Sequence, residues 1–490
     1  MNLLVDAIRE TKVLKEIRLY LQSQSVEAYL VGGYIRDCLL GRTTRDIDFA
    51  VRGRGIDLAR QVADHFGGAF VLLDQERDTA RAVLRHEEDH PYLVDFTGLR
   101  GGSLSSDLAA RDFTINALAL DIQNLEKGGP LIDPFDGLGD LHKRSLRVVS
   151  PTVFQDDPLR LLRAARLSAQ LDLYIEEATE GLMRRDPSSL ALVSPERIRD
   201  ELALILALPT ASRHLRRLDE LGLLGVIWPE LEELKGVEQP YPHHLDVFHH
   251  ALKTVEVLEG FLTSGFSFLD REPALPANLV THFATETSAR RRRDTMLKLA
   301  ALLHDAGKPK TRSTDANQVH FHNHEVVGAE IAGSAIRRLR FSRGEVTLIR
   351  TIVRNHMRPL LLAKGEKVTK RAVYRFFRDS GDAGVDILVH SLADHLATWG
   401  PNLDRSQWEG YLALVNSMLT SYYEEYETAI APPKLISGRD LMERFDLEAG
   451  PRLGQLLEAV REAQVQGEVV TREEALDFVA GLLADGSDKD

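Results

Sequence analysis

Apolar and polar positions in the first part of the chain change between helical and strand spacing. Leu14, Ile17 and Leu21 recur at helical spacing, which predicts an amphipathic helix within residues 1 to about 25. A second helix is predicted over residues 56–66. Short apolar runs around residues 69–73 and 80–84, and an alternating run over residues 93–97, then predict strands. The first part of the chain therefore mixes strands and helices.

Residues 29–50 form the stretch around which this part is organised. A short apolar run leads to Gly32 and Gly33, and the helical segment that follows is expected to end at Gly41. The pattern predicts a strand, a glycine turn, a helix, a loop and a second strand. Backbone N–H groups at such a glycine turn can bind phosphate oxygens.

Two carboxylates alternate along the second of these strands. Asp46 and Asp48 are two positions apart, so both side chains are expected on one face. Carboxylates directed at one point suit the Mg²⁺ ions of phosphoryl or nucleotidyl transfer. Asp95, on a neighbouring predicted strand, is either a third carboxylate of this site or a plain exposed residue.

The remainder of the chain is mostly helical in pattern. The apolar spacing over residues 146–235 predicts helices throughout, and helical spacing continues after residue 401. Residues 263–293 lack a clear period, which predicts a long loop unless a short helix lies within it. A buried helix over residues 297–303 is expected to stop at Gly307.

Composition narrows the class of protein. A chain of 490 residues with 43% hydrophobic residues is too long for one core and should fold as several domains. No apolar run approaches the roughly 18 residues of a membrane span, and no leader-like segment opens the chain, so a cytoplasmic protein without membrane contact is expected. Cys38 is the only cysteine, which excludes intrachain disulfides and cysteine-rich zinc sites. A net charge of −13 is unusual for a nucleic-acid binder, but arginines cluster locally, which is compatible with RNA. No motif indicates an oligomeric state.

Two further segments carry a family resemblance. Residues 111–116 are Arg-Asp-Phe-Thr-Ile-Asn, and residues 133–137 are Asp-Pro-Phe-Asp-Gly. With the glycine turn and Asp46-x-Asp48, they resemble the bacterial class II tRNA nucleotidyltransferases, the CCA-adding enzymes, and the related bacterial poly(A) polymerases. The resemblance implies an α+β fold, with a head similar to DNA polymerase beta followed by mostly α-helical domains. The implied domains are a nucleotidyltransferase head (1–145), a helical neck that binds base and tRNA (146–235), an HD domain (236–400) and a helical tail (401–490).

The resemblance also implies roles for individual residues. Asp46 and Asp48 would hold Mg²⁺ and be catalytic, with Asp95 as the candidate third carboxylate. The nucleotide would contact a larger set, consisting of Gly32, Gly33, Arg36, Arg111, Asp112, Asn116, Asp157, Arg160, Arg163 and Arg166.

In the family pattern, Asp157 and Arg160 act as a protein template for the incoming base. Cytosine and adenine each offer an amino donor beside an acceptor ring nitrogen, which a carboxylate and a guanidinium satisfy together. Guanine and uracil present the opposite pattern and would leave buried polar groups unpaired, at about 1–3 kcal/mol each. The residues alone also allow a simpler interpretation, in which Asp157 caps a helix and the arginines at 160, 163 and 166 form a solvated stripe.

A second constellation is rich in histidine. His250, His304, Asp305 and Asp394 resemble the ligand pattern of the HD phosphohydrolase superfamily, and His324 and His356 match positions that some members use for a second metal. Imidazole and carboxylate ligands suit several divalent metals, so the metal is left unidentified. A helical domain that keeps the ligands but has lost hydrolysis is the alternative. His243 and His244, with His249 and His250, are expected to open a helix.

The predicted function is transfer of CMP, AMP or both from CTP and ATP to the 3′ end of tRNA. A poly(A) polymerase, or a regulatory HD phosphohydrolase with a nucleotide-binding head, is the alternative. Residues 96–106 form a short, glycine-rich connection where family members that finish with A generally carry a longer flexible loop, and Ala109 and Ala110 replace residues that are often charged there. These departures suggest the hypothesis that only the two cytidines are added, with full CCA synthesis left open.

Overall fold

The computed structural model describes residues 12–85, 91–124, 129–264, 275–288, 291–316, 318–365 and 368–486. The chain divides into two compact units. One unit comprises Met1–Val193 with Leu221–Leu223, and the other comprises Ser194–Glu220 with Leu224–Asp490.

The first unit is built on a six-stranded sheet of order β3-β4-β5-β2-β1-β6. Its strands are β1 Ala28–Val31, β2 Asp46–Val51, β3 Ala69–Asp74, β4 Thr79–Leu84, β5 Tyr92–Gly98 and β6 Ala119–Asp121. β2 and β5 are parallel, and the other neighbouring strands are antiparallel. The strands predicted from the sequence are confirmed.

The first unit also contains α-helices. They are α1 Lys12–Ser23, α2 Gly33–Leu39, α3 Gly55–His65, α4 Leu104–Ala109, α5 Gly137–His142, α6 Val153–Asp156, α7 Arg160–Leu171 and α8 Glu177–Met183. Leu14, Ile17 and Leu21 of α1 are buried, as their spacing predicts, although residues 1–11 of that predicted helix lie outside the described residues. Gly41 follows α2 with a φ of +68°, in the left-handed conformation expected of a helix stop.

The prediction of helices throughout residues 146–235 is wrong in detail. Two short strands, β7 Ser145–Leu146 and β8 Tyr174–Ile175, pair in parallel, the second of them inside this region. Asp172 explains the interruption, because it takes a left-handed conformation that ends α7 and lets the Tyr174 N–H reach the Arg144 carbonyl at 2.9 Å.

The second unit is predominantly helical. Its helices, with one that begins at the unit boundary, are α9 Pro195–Leu206, α10 Ala211–Glu220, α11 Leu223–Ile227, α12 Pro229–Glu232, α13 Val247–Ser264, α14 Asn278–Ala284, α15 Arg293–Leu303, α16 Lys308–Thr311, α17 His324–Arg338, α18 Arg343–Asn355, α19 Arg358–Ala363, α20 Lys370–Ser380, α21 Gly384–Trp399, α22 Arg405–Glu424, α23 Gly438–Phe445, α24 Pro451–Gln466 and α25 Arg472–Gly486. Two small hairpins pair β9 Glu286–Ser288 with β10 Arg291–Arg292, and β11 Arg312–Asp315 with β12 Gln318–Phe321. None of the helices in the described ranges is both long and apolar enough to cross a membrane.

The long loop predicted over residues 263–293 is replaced in part by α14 and a hairpin, so the short-helix alternative is confirmed. Leu279 and Phe283 lie four positions apart on α14 and are both buried, a pair too brief to establish a period in the sequence. Residues 265–274 and 289–290 of the predicted loop lie outside the described residues.

Two expectations about helix ends are wrong. Gly307 has a φ of −82° and is not a left-handed stop. It is required by close packing, because a Cβ there would lie 2.1 Å from the His324 carbonyl oxygen. His243 and His244 precede α13, since the carboxylate of Asp246 accepts the His249 N–H at 2.8 Å and starts the helix later.

Candidate active site and metal centre

The glycine turn between β1 and α2 lies against two of the predicted site residues. Gly32 has a φ of +73°, and its N–H donates to the Leu118 carbonyl at 3.1 Å. A Cβ at Gly32 would lie 2.8 Å from Nη1 of Arg111 and 3.6 Å from Oδ2 of Asp48. The turn therefore needs glycine for its conformation and for the close approach of a guanidinium and a carboxylate.

Three carboxylates are associated with the strands β2 and β5. Asp46 is exposed at the start of β2, Asp48 is partly buried two residues later, and the parallel register sets Asp95 opposite Asp48. Arg81 forms two hydrogen bonds to Asp95, at 2.6 and 2.9 Å. Burial, followed by the negative charge of Asp95, raises the pKa of Asp48 to about 6.

These carboxylates fit a magnesium site. Oxygen ligands are what Mg²⁺ prefers, and the partly buried carboxylate of Asp48 lies opposite that of Asp95, so its negative charge is incompletely compensated. A cation near Asp46 and Asp48 would supply that compensation.

Arg111 is held by a buried carboxylate that sequence reasoning missed. Asp107 is 1% exposed and accepts hydrogen bonds from Nε and Nη2 of Arg111 at 3.2 and 3.0 Å. The two residues are four positions apart, a spacing that brings oppositely charged side chains together on a helix, and this was the available signal. Asp107 directs the Arg111 guanidinium to the glycine turn.

A buried polar chain joins the other predicted residues of this segment. Arg36 donates to Oδ1 of Asn116 at 2.7 Å, and Nδ2 of Asn116 donates to Asp112 at 2.9 Å. Asp112 also forms an ion pair of 2.7 Å with Arg163. Burial alone would raise the pKa of Asp112, but Arg163 and the hydrogen bonds to this carboxylate lower it. Asp112 is thus an anion that fixes Asn116 and Arg163.

Asp157 and Arg160 line one cleft of about 560 Å³, together with Arg77, Arg100 and the glycines at positions 53, 98 and 101. The Asp157 carboxylate accepts the Leu159 N–H at 3.2 Å, so it stabilises the turn that precedes α7 and does not cap the helix itself. Arg160 donates to the carbonyls of Ala110 at 2.9 Å and Val153 at 3.4 Å. Arg166 is not brought to this cleft, and its Nη1 donates to Gln170 at 2.8 Å.

In the second unit, the predicted HD residues come together from α13, the end of α15 and α21. Nε2 of His250 lies 2.9 Å from Oδ1 of Asp394, and Nε2 of His304 lies 3.1 Å from Oδ2 of Asp305. Cross-contacts of 3.7 Å link His250 to Asp305 and His304 to Asp394. His250, His304 and Asp394 offer ligand atoms close enough to bind one ion.

A second group adjoins the first through the other oxygen of Asp305. Nε2 of His324 and of His356 lie 3.4 and 3.9 Å from Oδ1 of Asp305, and 3.3 Å from each other. His304, Asp305 and His356 also offer ligand atoms at metal-binding spacing. His324 and His356, which the family resemblance matches to positions of a second metal, thus lie beside the first group.

Hydrogen bonds set the tautomers of three of these histidines. Nδ1 of His304, His324 and His356 lies 2.8, 2.8 and 2.7 Å from a backbone carbonyl three residues earlier in each case. A ring whose Nδ1–H donates in this way keeps its Nε2 lone pair for a metal. Oδ1 of Asp305 is buried and has no hydrogen-bond partner among the described residues, so the donor set fits a divalent metal.

Burial and mutual charge determine the protonation of the cluster. Burial and the neighbouring imidazoles lower the pKa of His356 to about 3, and burial also lowers that of His250. Burial opposes ionisation of Asp305, yet His304 and Lys308 lower its pKa well below the usual range. A divalent metal would require anionic Asp305 with neutral His250 and His356, and it would have to displace a proton from His304, whose pKa burial lowers but Asp305 and Asp394 raise above its ordinary value.

His390 is a buried member of this region that sequence reasoning missed. It lies on α21 one turn before Asp394, with its ring centroid 4.9 Å from that of His304. Neither ring nitrogen has a hydrogen-bond partner among the described residues. The sequence signal was its spacing of four residues from Asp394, which sets both on one helix face.

Four family models match successive parts of the chain. The model of the poly A polymerase head domain matches residues 28–147, and that of the probable RNA and SrmB-binding site of polymerase A matches residues 172–235. The HD domain model matches residues 277–396, and tRNA nucleotidyltransferase domain 2 matches residues 423–479.

Relatives match over nearly the whole chain. An A-adding tRNA nucleotidyltransferase of Deinococcus radiodurans is 37% identical and covers 92% of this chain and 94% of its own. A CC-adding tRNA nucleotidyltransferase of Thermus thermophilus is 34% identical, with coverage of 92% and 93%. Among solved structures, a CCA-adding enzyme in its apo form I has a TM-score of 0.65 at 22% identity, over 98% of this chain and 96% of its own. A Thermotoga maritima CCA-adding enzyme complexed with tRNA has a TM-score of 0.60 at 22% identity, over 98% of both chains. At this identity the solved structures establish the α+β fold.

Proposed function

This chain belongs to the tRNA nucleotidyltransferase family, and we propose that it transfers CMP from CTP to the 3′ end of tRNA and stops after two additions. The observation that carries the choice of cytidine is the connection after Asp95. It is short and ordered, with a tight turn at Arg100–Gly102 followed directly by α4. Such a connection lacks the reach to re-aim the base-reading residues after each addition.

The triphosphate is proposed to bind over the glycine turn. Gly32 and Gly33 leave room for phosphate oxygens, and Arg111, oriented by Asp107, donates to them. Arg36 and Asp112 support this site by fixing Asn116. Asp46 and Asp48 hold two Mg²⁺ ions, with Asp95 beside Asp48. When bound there, Mg²⁺ supplies activation of the attacking 3′-hydroxyl and neutralisation of the leaving pyrophosphate.

The base is proposed to be read in the cleft lined by Asp157 and Arg160. The carboxylate of Asp157 accepts from the amino group of cytosine, and the Arg160 guanidinium donates to its ring nitrogen. Arg163 and Arg166 continue the basic face of α7 and are proposed to assist nucleotide or RNA binding. The same proposal places domain boundaries at residues 145, 235 and 400. It also places the protein in the cytoplasm, with tRNA as its partner.

Addition of A alone, or of the whole CCA sequence, is the second candidate. It is favoured by the A-adding relative, whose identity to this chain exceeds that of the CC-adding relative. Adenine presents the same donor and acceptor pair to Asp157 and Arg160, so these two residues do not separate the candidates.

We further propose that the HD cluster binds a divalent metal and hydrolyses a phosphoester. The supporting observation is the set of Nε2 lone pairs directed at Asp305 by backbone acceptors. His250, His304, Asp305 and Asp394 would hold one ion, and His324 and His356 would contribute to a second.

One assay tests the proposed transfer. Purified protein is incubated with labelled CTP, ATP or both, and with tRNA transcripts ending before CCA, after one C or after CC. Products that stop at CC support the proposal, whereas addition of A to the transcript ending in CC contradicts it. Competition between these transcripts and a generic RNA primer separates tRNA specificity from poly(A) polymerase activity.

A further inference from the structure

The connection between β5 and α4 folds back on itself. Gly101 and Gly102 have φ values of +62° and +72°, and Ser103 caps α4 by accepting the Ser106 N–H at 3.2 Å. A Cβ at Gly101 would lie 2.8 Å from the Cβ of Ser106, so the turn packs tightly against the helix. The backbone of Arg100 is therefore held by a turn that packs against α4.

Arg100 is directed to the cleft by two neighbours from α4 and its end. Its Nε lies 3.9 Å from the buried carboxylate of Asp107, and its Nη1 donates to the Ala110 carbonyl at 3.4 Å. Burial lowers the pKa of Arg100, with further lowering by Arg111, Arg77 and Arg160, although Asp107 opposes this. The Arg100 guanidinium is thus held near those of Arg77, Arg111 and Arg160, with the carboxylate of Asp107 as the neighbouring anion.

The Ala110 carbonyl is shared. It also accepts Nη2 of Arg160 at 2.9 Å, while Nη1 of Arg160 donates to the Val153 carbonyl. A carbonyl oxygen has two lone pairs and can accept from both guanidinium groups. Arg100 and Arg160 consequently meet at one backbone atom, and both line the cleft that contains Asp157.

We propose that Arg100 is a specificity-determining positioning residue, which fixes the Arg160 guanidinium through the shared Ala110 carbonyl at the edge of the cleft that both residues line. The inference rests on the proposed base-reading function of Asp157 and Arg160. With Arg160 fixed, its guanidinium meets the ring nitrogen of cytosine, whereas adenine, whose larger ring system sets the same donor and acceptor edge further from the sugar, requires Arg160 to move. Selection between two bases of the same hydrogen-bonding pattern thus depends on the position at which Arg160 is held.

The test compares kcat/KM for CTP and ATP, with tRNA ending before CCA, in wild-type and variant enzymes. Arg100→Ala is expected to lower the ratio of CTP to ATP kcat/KM about tenfold, mainly through a lower KM for ATP. Arg100→Lys, which keeps the charge and most of the stem, should hold the ratio closer to wild type.

Arg77→Ala is the matched control, because Arg77 lines the same cleft and its ion pair is with Asp74. It should change kcat/KM for both nucleotides to a similar extent. An unchanged ratio in a folded Arg100→Ala enzyme overturns the inference, as does an equal change of ratio in Arg77→Ala. If Arg100→Ala does not fold, Arg100→Gln provides the same comparison with a shorter donor.

The proposed CC specificity is tested separately by wild-type enzyme on tRNA ending in CC with ATP. Addition of A there overturns CC specificity. That result would not decide the inference about Arg100. The Arg100 variants decide it, because a positioning role requires the ratio of CTP to ATP kcat/KM to change in them whichever base the wild-type enzyme prefers.

Discussion

Asp48 and Asp95 lie directly opposite each other on the parallel strands β2 and β5. The carboxylate of Asp95 forms an ion pair with Arg81, yet its negative charge still contributes to the raised pKa of Asp48. The pair explains why an acid outside the Asp46-x-Asp48 motif affects the metal site.

The pH dependence of Mg²⁺ binding follows from this pair. With a folded pKa of about 6 against an ordinary value of 3.8, protonated Asp48 stabilises the fold below that ordinary value, and this contribution is lost as the pH rises through about 6. Mg²⁺ must displace the proton, so its affinity should fall below pH 6. Asp95→Asn removes one cause of the shift and should move the midpoint to lower pH. Calorimetric titration between pH 5 and 8 measures this, and an unmoved midpoint would contradict it.

Asp46→Ala and Asp48→Ala should each reduce nucleotide addition by more than roughly 10³-fold, because both carboxylates are required for metal-assisted transfer. Binding of tRNA should persist. Primer extension with labelled CTP and a separate tRNA-binding assay measure the two properties. Near wild-type incorporation by either variant would refute the head assignment.

Asp157→Ala should relax base choice towards UTP and GTP, because the acceptor for the cytosine amino group is lost. Competition among the four nucleotides measures the change, with Mg²⁺ affinity as the control. Full rate together with full discrimination would reduce Asp157 to a residue that only stabilises the turn before α7, through its bond to Leu159.

The double variant His304→Ala with Asp305→Ala should lose metal-dependent phosphohydrolase activity and divalent metal binding. Nucleotide addition should remain largely unchanged, because the carboxylates of the head belong to the other compact unit. Metal content and both activities are measured on the same preparation. Loss of both activities in folded protein would show that they are coupled.

Gly307→Ala should destabilise the second unit by about 1–3 kcal/mol, since the added Cβ would overlap the His324 carbonyl. Gly454→Ala, where a Cβ meets nothing within 4 Å, is the matched control and should be neutral or stabilising by up to about 1 kcal/mol. Denaturant unfolding gives both values. Equal stability of the two variants would rule out the packing role of Gly307.

The sequence predicted the head well because its elements are short and strongly patterned. Gly32, Asp46 and Asp48 occur within one strand–turn–helix–strand unit, so local rules suffice to bring their backbones together. Asp107 and His390 were missed for different reasons. Asp107 pairs with Arg111 just beyond the end of α4, a spacing of four residues that resembles any surface ion pair in sequence, and His390 lies in a helix whose burial is visible only after packing.

Gly307 and Arg100 show a further limit of sequence reasoning. The glycine is needed for contact with a helix that follows later in the chain, and Arg100 meets Arg160 at a carbonyl that belongs to neither. Residues brought together by packing or by backbone atoms leave no spacing for sequence reasoning to detect.

The acceptors of the three HD imidazoles are the backbone carbonyls of Ala301, Phe321 and Val353. Because every residue type supplies the same carbonyl, replacing those three side chains would leave the tautomers unchanged. Inserting or deleting a single residue between a histidine and its acceptor would break the bond and turn the ring. The candidate metal centre should therefore tolerate substitution at these acceptor positions but not length variation, so natural variants should differ there in residue identity and never in spacing.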